Sequence, residues 1–107
     1  MEIRQYQIVL VNPEGAKGHE IRKTRPCVVL SPGEMNRNLQ TVVVAPMTTT
    51  GRNWPTRVRV KHNKPAGWIV VGQITTIDQR KIIRILGELN ASEIRELKQT
   101  ISETFVE

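Results

Sequence analysis

The chain has 107 residues, 38% of them hydrophobic, so it is expected to form one domain over residues 1–107 around one modest core. Lys and Arg number 16 against 10 Asp and Glu, a net charge of +6 that points to an anionic partner. No run approaches the ~20 apolar residues of a membrane span, Met1 to Gln7 is too polar for a signal peptide, and the single Cys27 excludes an internal disulfide and offers no zinc pattern; a cytoplasmic location with no membrane role follows as the expectation.

Taken in chain order, the first predicted element is a strand at Gln7 to Val11, closed by the turn-prone Asn12-Pro13-Glu14-Gly15. Ala16 to Thr24 reads as a polar, basic loop. Pro26 to Leu30 is a nearly continuous apolar strand ended by Ser31-Pro32-Gly33. Thr41 to Met47 is a further buried strand, in which Pro46 removes a ladder donor and so predicts an edge or a strand end. Thr56 to Lys61 alternates, with Val58 and Val60 on one side and Arg57, Arg59 and Lys61 on the other. Trp68 to Val71 and Ile74 to Ile77 read as one strand, kinked or bulged at Gly72. Lys81 to Leu86 fits a helical turn or a strand, and is read as a strand entered through a short turn at Asp78 to Arg80. Asn90, with Glu93 behind it, starts an amphipathic helix that recurs through Ile94, Leu97, Ile101 and Phe105. Many short strands and one covering helix predict a mainly β protein, a small barrel with a C-terminal α-helix on its side.

The cations crowd Lys17 to Arg25, Arg52 to Lys64 and Arg80 to Arg84, while the acids favour the segment after Gly87. That asymmetry reads as a nucleic-acid face, with general solubility charge as the plain alternative.

Three groups of residues then stand out: Lys17-Gly18-His19-Glu20 with Thr24-Arg25-Pro26 ahead of Cys27-Val28-Val29-Leu30-Ser31; Ala45-Pro46-Met47-Thr48-Thr49; and Gln73-Ile74-Thr75-Thr76-Ile77-Asp78. In this order and spacing the chain resembles the MazF/PemK toxins of bacterial type II toxin-antitoxin modules, from about Gln7 to Phe105. The resemblance implies an SH3-like β-barrel of the MazF/PemK/CcdB type, a homodimer, and a sequence-specific endoribonuclease that cuts single-stranded RNA. It implies inhibition by an acidic antitoxin of the MazE/PemI type. The implied cut uses the 2'-hydroxyl of the RNA, leaves 2',3'-cyclic phosphate and 5'-hydroxyl ends, and demands no metal or other cofactor.

On that resemblance Arg25 and Thr48 match catalytic positions. An arginine fork suits two phosphate oxygens and can stabilise the charge of a phosphorane, or it can pin its loop by pairing with Glu20. The Thr48 hydroxyl can hold a phosphate oxygen or orient the 2'-hydroxyl; otherwise it is a turn residue in Thr48-Thr49-Thr50-Gly51. His19 and Glu20 share the candidacy for general base: His19 for its pKa range and its match to a catalytic histidine of some members, or equally a loop residue lining the RNA groove; Glu20 as the match to a family glutamate that positions Arg25 or serves as base, or else an exposed carboxylate. Some members carry an arginine and an aspartate where this chain has Val70 and Gly72, so that mode of catalysis is missing here. Lys17, Arg22, Lys23, Thr49, Arg52, Trp54, Arg57 and Gln73 are the candidate RNA-binding residues; Trp54 either stacks on a base or anchors its loop. Cys27 reads as buried packing with a raised thiol pKa, His62 as a loop residue without a second ligand, and Trp68 as core. A different class of function stays open, a non-catalytic RNA-binding module or a gyrase-directed toxin of similar fold.

Overall fold

The computed structural model describes residues 1–14, 23–51, 54–61 and 66–106. Its elements are β1 (Gln7–Val11), β2 (Arg25–Val29), α1 (Gly33–Asn38), β3 (Thr41–Thr48), β4 (Arg57–Val60), β5 (Gly67–Val70), β6 (Thr75–Asp78), β7 (Ile82–Glu88) and α2 (Ala91–Phe105). The strands form one antiparallel sheet in the order β4-β5-β3-β2-β1-β7, with β6 also paired to β3. This is the mainly β architecture with a C-terminal helix that the pattern predicts. The described pairings run as an open path from β4 to β7 instead of closing into a ring.

Period-two alternation divides the core between the two faces of the sheet. Ile8, Val28, Ala45, Met47, Val58, Val60 and Ile69 gather on one face, where α2 covers them through the fully buried Leu97. Val9, Val11, Cys27, Val29, Val42, Val44 and Ile82 gather on the other with Ile3. Burying one such aliphatic side chain contributes about 1.5–3 kcal/mol. The helix begins as expected: Asn90 Oδ1 accepts from Glu93 N at 2.8 Å, and Glu93 Oε1 accepts from Asn90 N at 2.9 Å. Its apolar stripe fades at the end, since Phe105 is 57% exposed. No described helix is long and apolar enough to cross a membrane.

Several local expectations are corrected. Pro46 lies inside β3, a central strand, opposite Cys27. Leu30 N donates to Val43 O, and Val43 N donates to Ser31 Oγ, so the odd-numbered residues of β3 turn their polar groups toward β2. Pro46 therefore points its donorless nitrogen the other way, into the seam between β6, which pairs as far as Val44, and β5, which pairs from Met47. A missing N–H costs nothing where no partner strand waits for it. Residues Trp68 to Ile77 make two strands rather than one, because Val71–Gln73 form a 3-10 turn that carries the chain from β5 to β6. Helix α1 has no counterpart in the sequence reading; it is short, and tertiary hydrogen bonds hold it. The buried Asn36 donates through Nδ2 to Ile3 O and Ser31 O, and Gln79 Nε2 donates to Asn36 O and Leu39 O beyond its end.

Candidate nucleic-acid interface

Strand pairing assembles the site. In β2 and β3 the register sets Cys27 across from Pro46 and Val29 across from Val44. Continuing it by two residues sets Arg25, the first residue of β2, across from Thr48, the last of β3. Side chains facing each other across such a pair stand about 4.5–5.5 Å apart at Cβ. The same row extends further: Thr48 pairs Trp68 of β5, and Trp68 pairs Arg59 of β4. Arg25, Thr48, Trp68 and Arg59 thus form one line across four strands, on the sheet face opposite Met47, Ile69, Val58 and Val60.

Arg25 is exposed, and among the described residues no carboxylate forms an ion pair with it. It stands at the rim of a mostly apolar hollow of about 290 Å³, floored by Val44, Pro46 and Cys27 and edged by Gln73, Thr75 and Lys81. Two of the expected site residues, Arg25 and Gln73, are therefore brought to one place although 48 positions separate them (73 − 25). The Thr48 hydroxyl donates to Thr50 O at 2.9 Å and accepts from Thr50 N at 3.3 Å, so it also shapes its turn. Gly67 serves this corner too, since a β-carbon there would collide with the Thr48 carbonyl oxygen.

Cys27, beside Arg25 on the same sheet face, is buried, and burial pushes its thiol up to about 11 against the partial pull of the Arg25 charge. A neutral, enclosed thiol is packing, as its apolar surroundings in sequence predict. Asp78 closes the block that begins at Gln73: its carboxylate accepts from Arg80 N at 2.8 Å and from the Arg80 guanidinium. Those bonds hold Asp78 at about 2 and order the 3-10 turn Gln79–Lys81.

Among the remaining RNA-binding candidates, Thr49 is exposed in the turn after β3, and Trp54 is 51% exposed with the Arg57 guanidinium 5.0 Å from its ring centroid. Lys23 is tied to Glu14, Nζ to Oε1 at 2.6 Å, which makes it part of a surface ion pair before any ligand arrives. Lys17, His19, Glu20, Arg22 and Arg52 lie outside the described residues, as does His62. Trp68 departs from its expected place: Ile69, not Trp68, enters the core, and Trp68 is half-buried with Arg59 stacked 4.8 Å from its ring centroid. The alternation within Gly67–Val70 is the signal that could have placed it on the outer face. Lys81 and Thr75 beside Arg25 were also missed, because the pairing of β6 with β3 brings Thr75 there, and Lys81 arrives next to β1, where its carbonyl accepts from Asn12 N.

The sequence pattern of one protein family spans residues 4–105, that of the PemK-like, MazF-like toxins of type II toxin-antitoxin systems. The chain belongs to this family. Solved structures share its fold. MazE–MazF from Deinococcus radiodurans superposes with a TM-score of 0.83 at 20% identity, covering 97% of this chain and 95% of the other. An endoribonuclease from a mycobacterial species superposes at 0.81 and 19% identity, covering 96% and 90%. A mycobacterial endoribonuclease in complex with its cognate antitoxin superposes at 0.79 and 20% identity, covering 94% and 92%. At such identities the likeness of this PemK/MazF-like chain to each of them is one of fold. Curated protein sequences give no significant match.

Proposed function

We propose that this toxin-family chain is a metal-independent, sequence-specific endoribonuclease acting on single-stranded RNA in the cytoplasm, and that it stops growth by destroying messages. What supports the reading is that the β2–β3 register, continued by two residues, sets Arg25 across from Thr48, and that Arg25 stands on the rim of a hollow that also takes Gln73 and Lys81. A guanidinium that no described carboxylate holds and a hydroxyl at a cross-strand spacing match two oxygens of one phosphodiester.

In the proposed reaction the RNA's 2'-oxygen attacks the adjacent phosphorus. A P–O2' bond forms and the P–O5' bond breaks, leaving a 2',3'-cyclic phosphate and a 5'-hydroxyl end. The proton of the 2'-hydroxyl goes to a base, His19 or Glu20, and an acid supplies one to the departing 5'-oxygen. Arg25 stabilises the phosphorane's charge by a two-pronged contact. Thr48 releases Thr50 O by rotating its hydroxyl and donates instead to a phosphoryl oxygen. Arg57 and Arg59 neutralise neighbouring phosphates, so affinity falls steeply with salt.

The acting unit in this reading is a homodimer. Support comes from β7, an edge strand that leaves Ile83 40% and Ile85 38% exposed. The inhibitor is an acidic antitoxin lying across the basic face, as the neighbouring complexes named for toxin and antitoxin suggest. Incubating the purified protein with a long RNA in EDTA tests the reading: new 5'-hydroxyl ends at a short recurring sequence are expected, and intact RNA would refute it. Sedimentation at a single chain's 12.2 kDa by a preparation that still cuts RNA would refute the dimer.

A further inference from the structure

Beyond Thr48, the cross-strand row continues into a second hollow of about 710 Å³, lying between β4, β5 and the start of α2. Trp68 and Arg59 form one wall, with the guanidinium already stacked at 4.8 Å from the indole centroid, and Lys61 stands next to them. Ser92 and Glu96, from the first turns of α2, which packs on the other face of the sheet, also line this hollow. Trp68 is one strand away from Thr48, and the turn after Thr48 rests on its ring: a β-carbon on Gly51 would come within 3.1 Å of Trp68 Cδ1. From Arg25 to Arg59 the row spans three strand spacings, about 14 Å in all.

We propose that this hollow is a subsite for one unpaired nucleobase flanking the scissile phosphate, a proposal that rests on the ribonuclease reading above. The hollow is two-sided in charge, and so is a nucleotide. The cations Arg59 and Lys61 on the β4 side suit the phosphate. The Trp68–Arg59 stack offers a flat aromatic and guanidinium surface of the kind on which splayed RNA bases lie. On the α2 side, the Glu96 carboxylate accepts from an exocyclic amino group, which selects adenine, cytosine or guanine over uracil. An acidic peptide, with carboxylates along its whole length, would meet Glu96 and the neighbouring Glu93 with like charge, so the hollow fits RNA better than an inhibitor. Arg25 and Thr48 hold the reacting phosphate in this arrangement, and Trp68 sets the register of the strand.

The test uses the full chain and a non-cleavable RNA carrying a 2'-deoxy sugar at the mapped cut, with every base at the flanking positions in turn. Trp68→Ala is expected to weaken binding about tenfold, the loss of one base–aromatic stack. An analogue trimmed of the nucleotides on the Trp68 side should bind Trp68→Ala and the native protein alike. Trp68→Phe, which keeps an aromatic ring, should restore most of the affinity and shows that a loss in Trp68→Ala is not misfolding. Glu96→Gln should relax the preference for amino-bearing bases at one flanking position. If the native protein cuts RNA and Trp68→Ala binds the intact analogue as tightly as the native chain does, the subsite is overturned while the ribonuclease stands. If Trp68→Ala instead loses only its affinity for an oligoglutamate peptide, the hollow belongs to a protein partner and the proposal is again overturned. If the native protein cuts no RNA, both readings fall together.

Discussion

Replacing Arg25 separates chemistry from binding and from folding, because the structure gives each a different expected size. Arg25 is exposed, and among the described residues no carboxylate holds it, so Arg25→Ala should shift stability by only about 0.5 kcal/mol. Affinity for a 2'-deoxy analogue should fall modestly, with the salt slope reduced by about one, since one phosphate contact among several is lost. The cleavage rate should fall about 100- to 1,000-fold, the usual cost of one preorganised donor to a charged transition state. Arg25→Lys keeps the charge but not the fork, and it should stay badly impaired. The assay is single-turnover cleavage of one RNA beside analogue affinity, with urea unfolding as the control. Near-native cleavage by Arg25→Lys would show that Arg25 is merely a surface cation. Unfolding of Arg25→Ala would show that it pins its loop, and the catalytic centre would then have to be sought at His19.

Thr48→Ala removes the hydroxyl that bonds Thr50, costing about 1 kcal/mol of stability, and should slow cleavage while leaving analogue binding nearly intact; equal losses in both would make Thr48 a turn residue only. Leu97→Ala empties the contact through which α2 closes the core and should cost about 2–5 kcal/mol in urea unfolding, with a cost under about 1 kcal/mol contradicting the packing. Cys27 titrates higher when folded, at about 11, than the ~8.5 of an unfolded thiol. The stability it contributes is therefore complete at neutral pH and is lost as pH rises from about 8.5 through 11, about 3 kcal/mol in full. Cys27→Ala should flatten that part of the pH profile, and an unchanged slope would show that the thiol is not buried as described.

Much of the fold was legible because period-two alternation and turn residues act locally: β1, the valines of β4 and the Asn90–Glu93 cap follow directly from neighbours in the chain. What the chain order concealed is decided by pairing. Pro46 belongs to a central strand because its nitrogen faces the seam between β5 and β6, which no local rule contains. Helix α1 is too short to show an apolar stripe and depends on Asn36 and Gln79 reaching distant carbonyls. In the site, Arg25 and Thr48 were legible through the resemblance, but their register and the row through Trp68 to Arg59 exist only once four strands are laid side by side. Trp68 looked like core because large aromatics usually are; its parity in β5 decides otherwise.

The Arg25–Thr48 corner is the proposed seat of RNA cleavage. Sequencing of all 5'-hydroxyl RNA ends after brief expression of the native chain and of Arg25→Ala, at matched protein levels, tests it most directly. Ends clustered at one short sequence are expected for the native chain and none above background for Arg25→Ala. The same clusters at the same depth in both would contradict it.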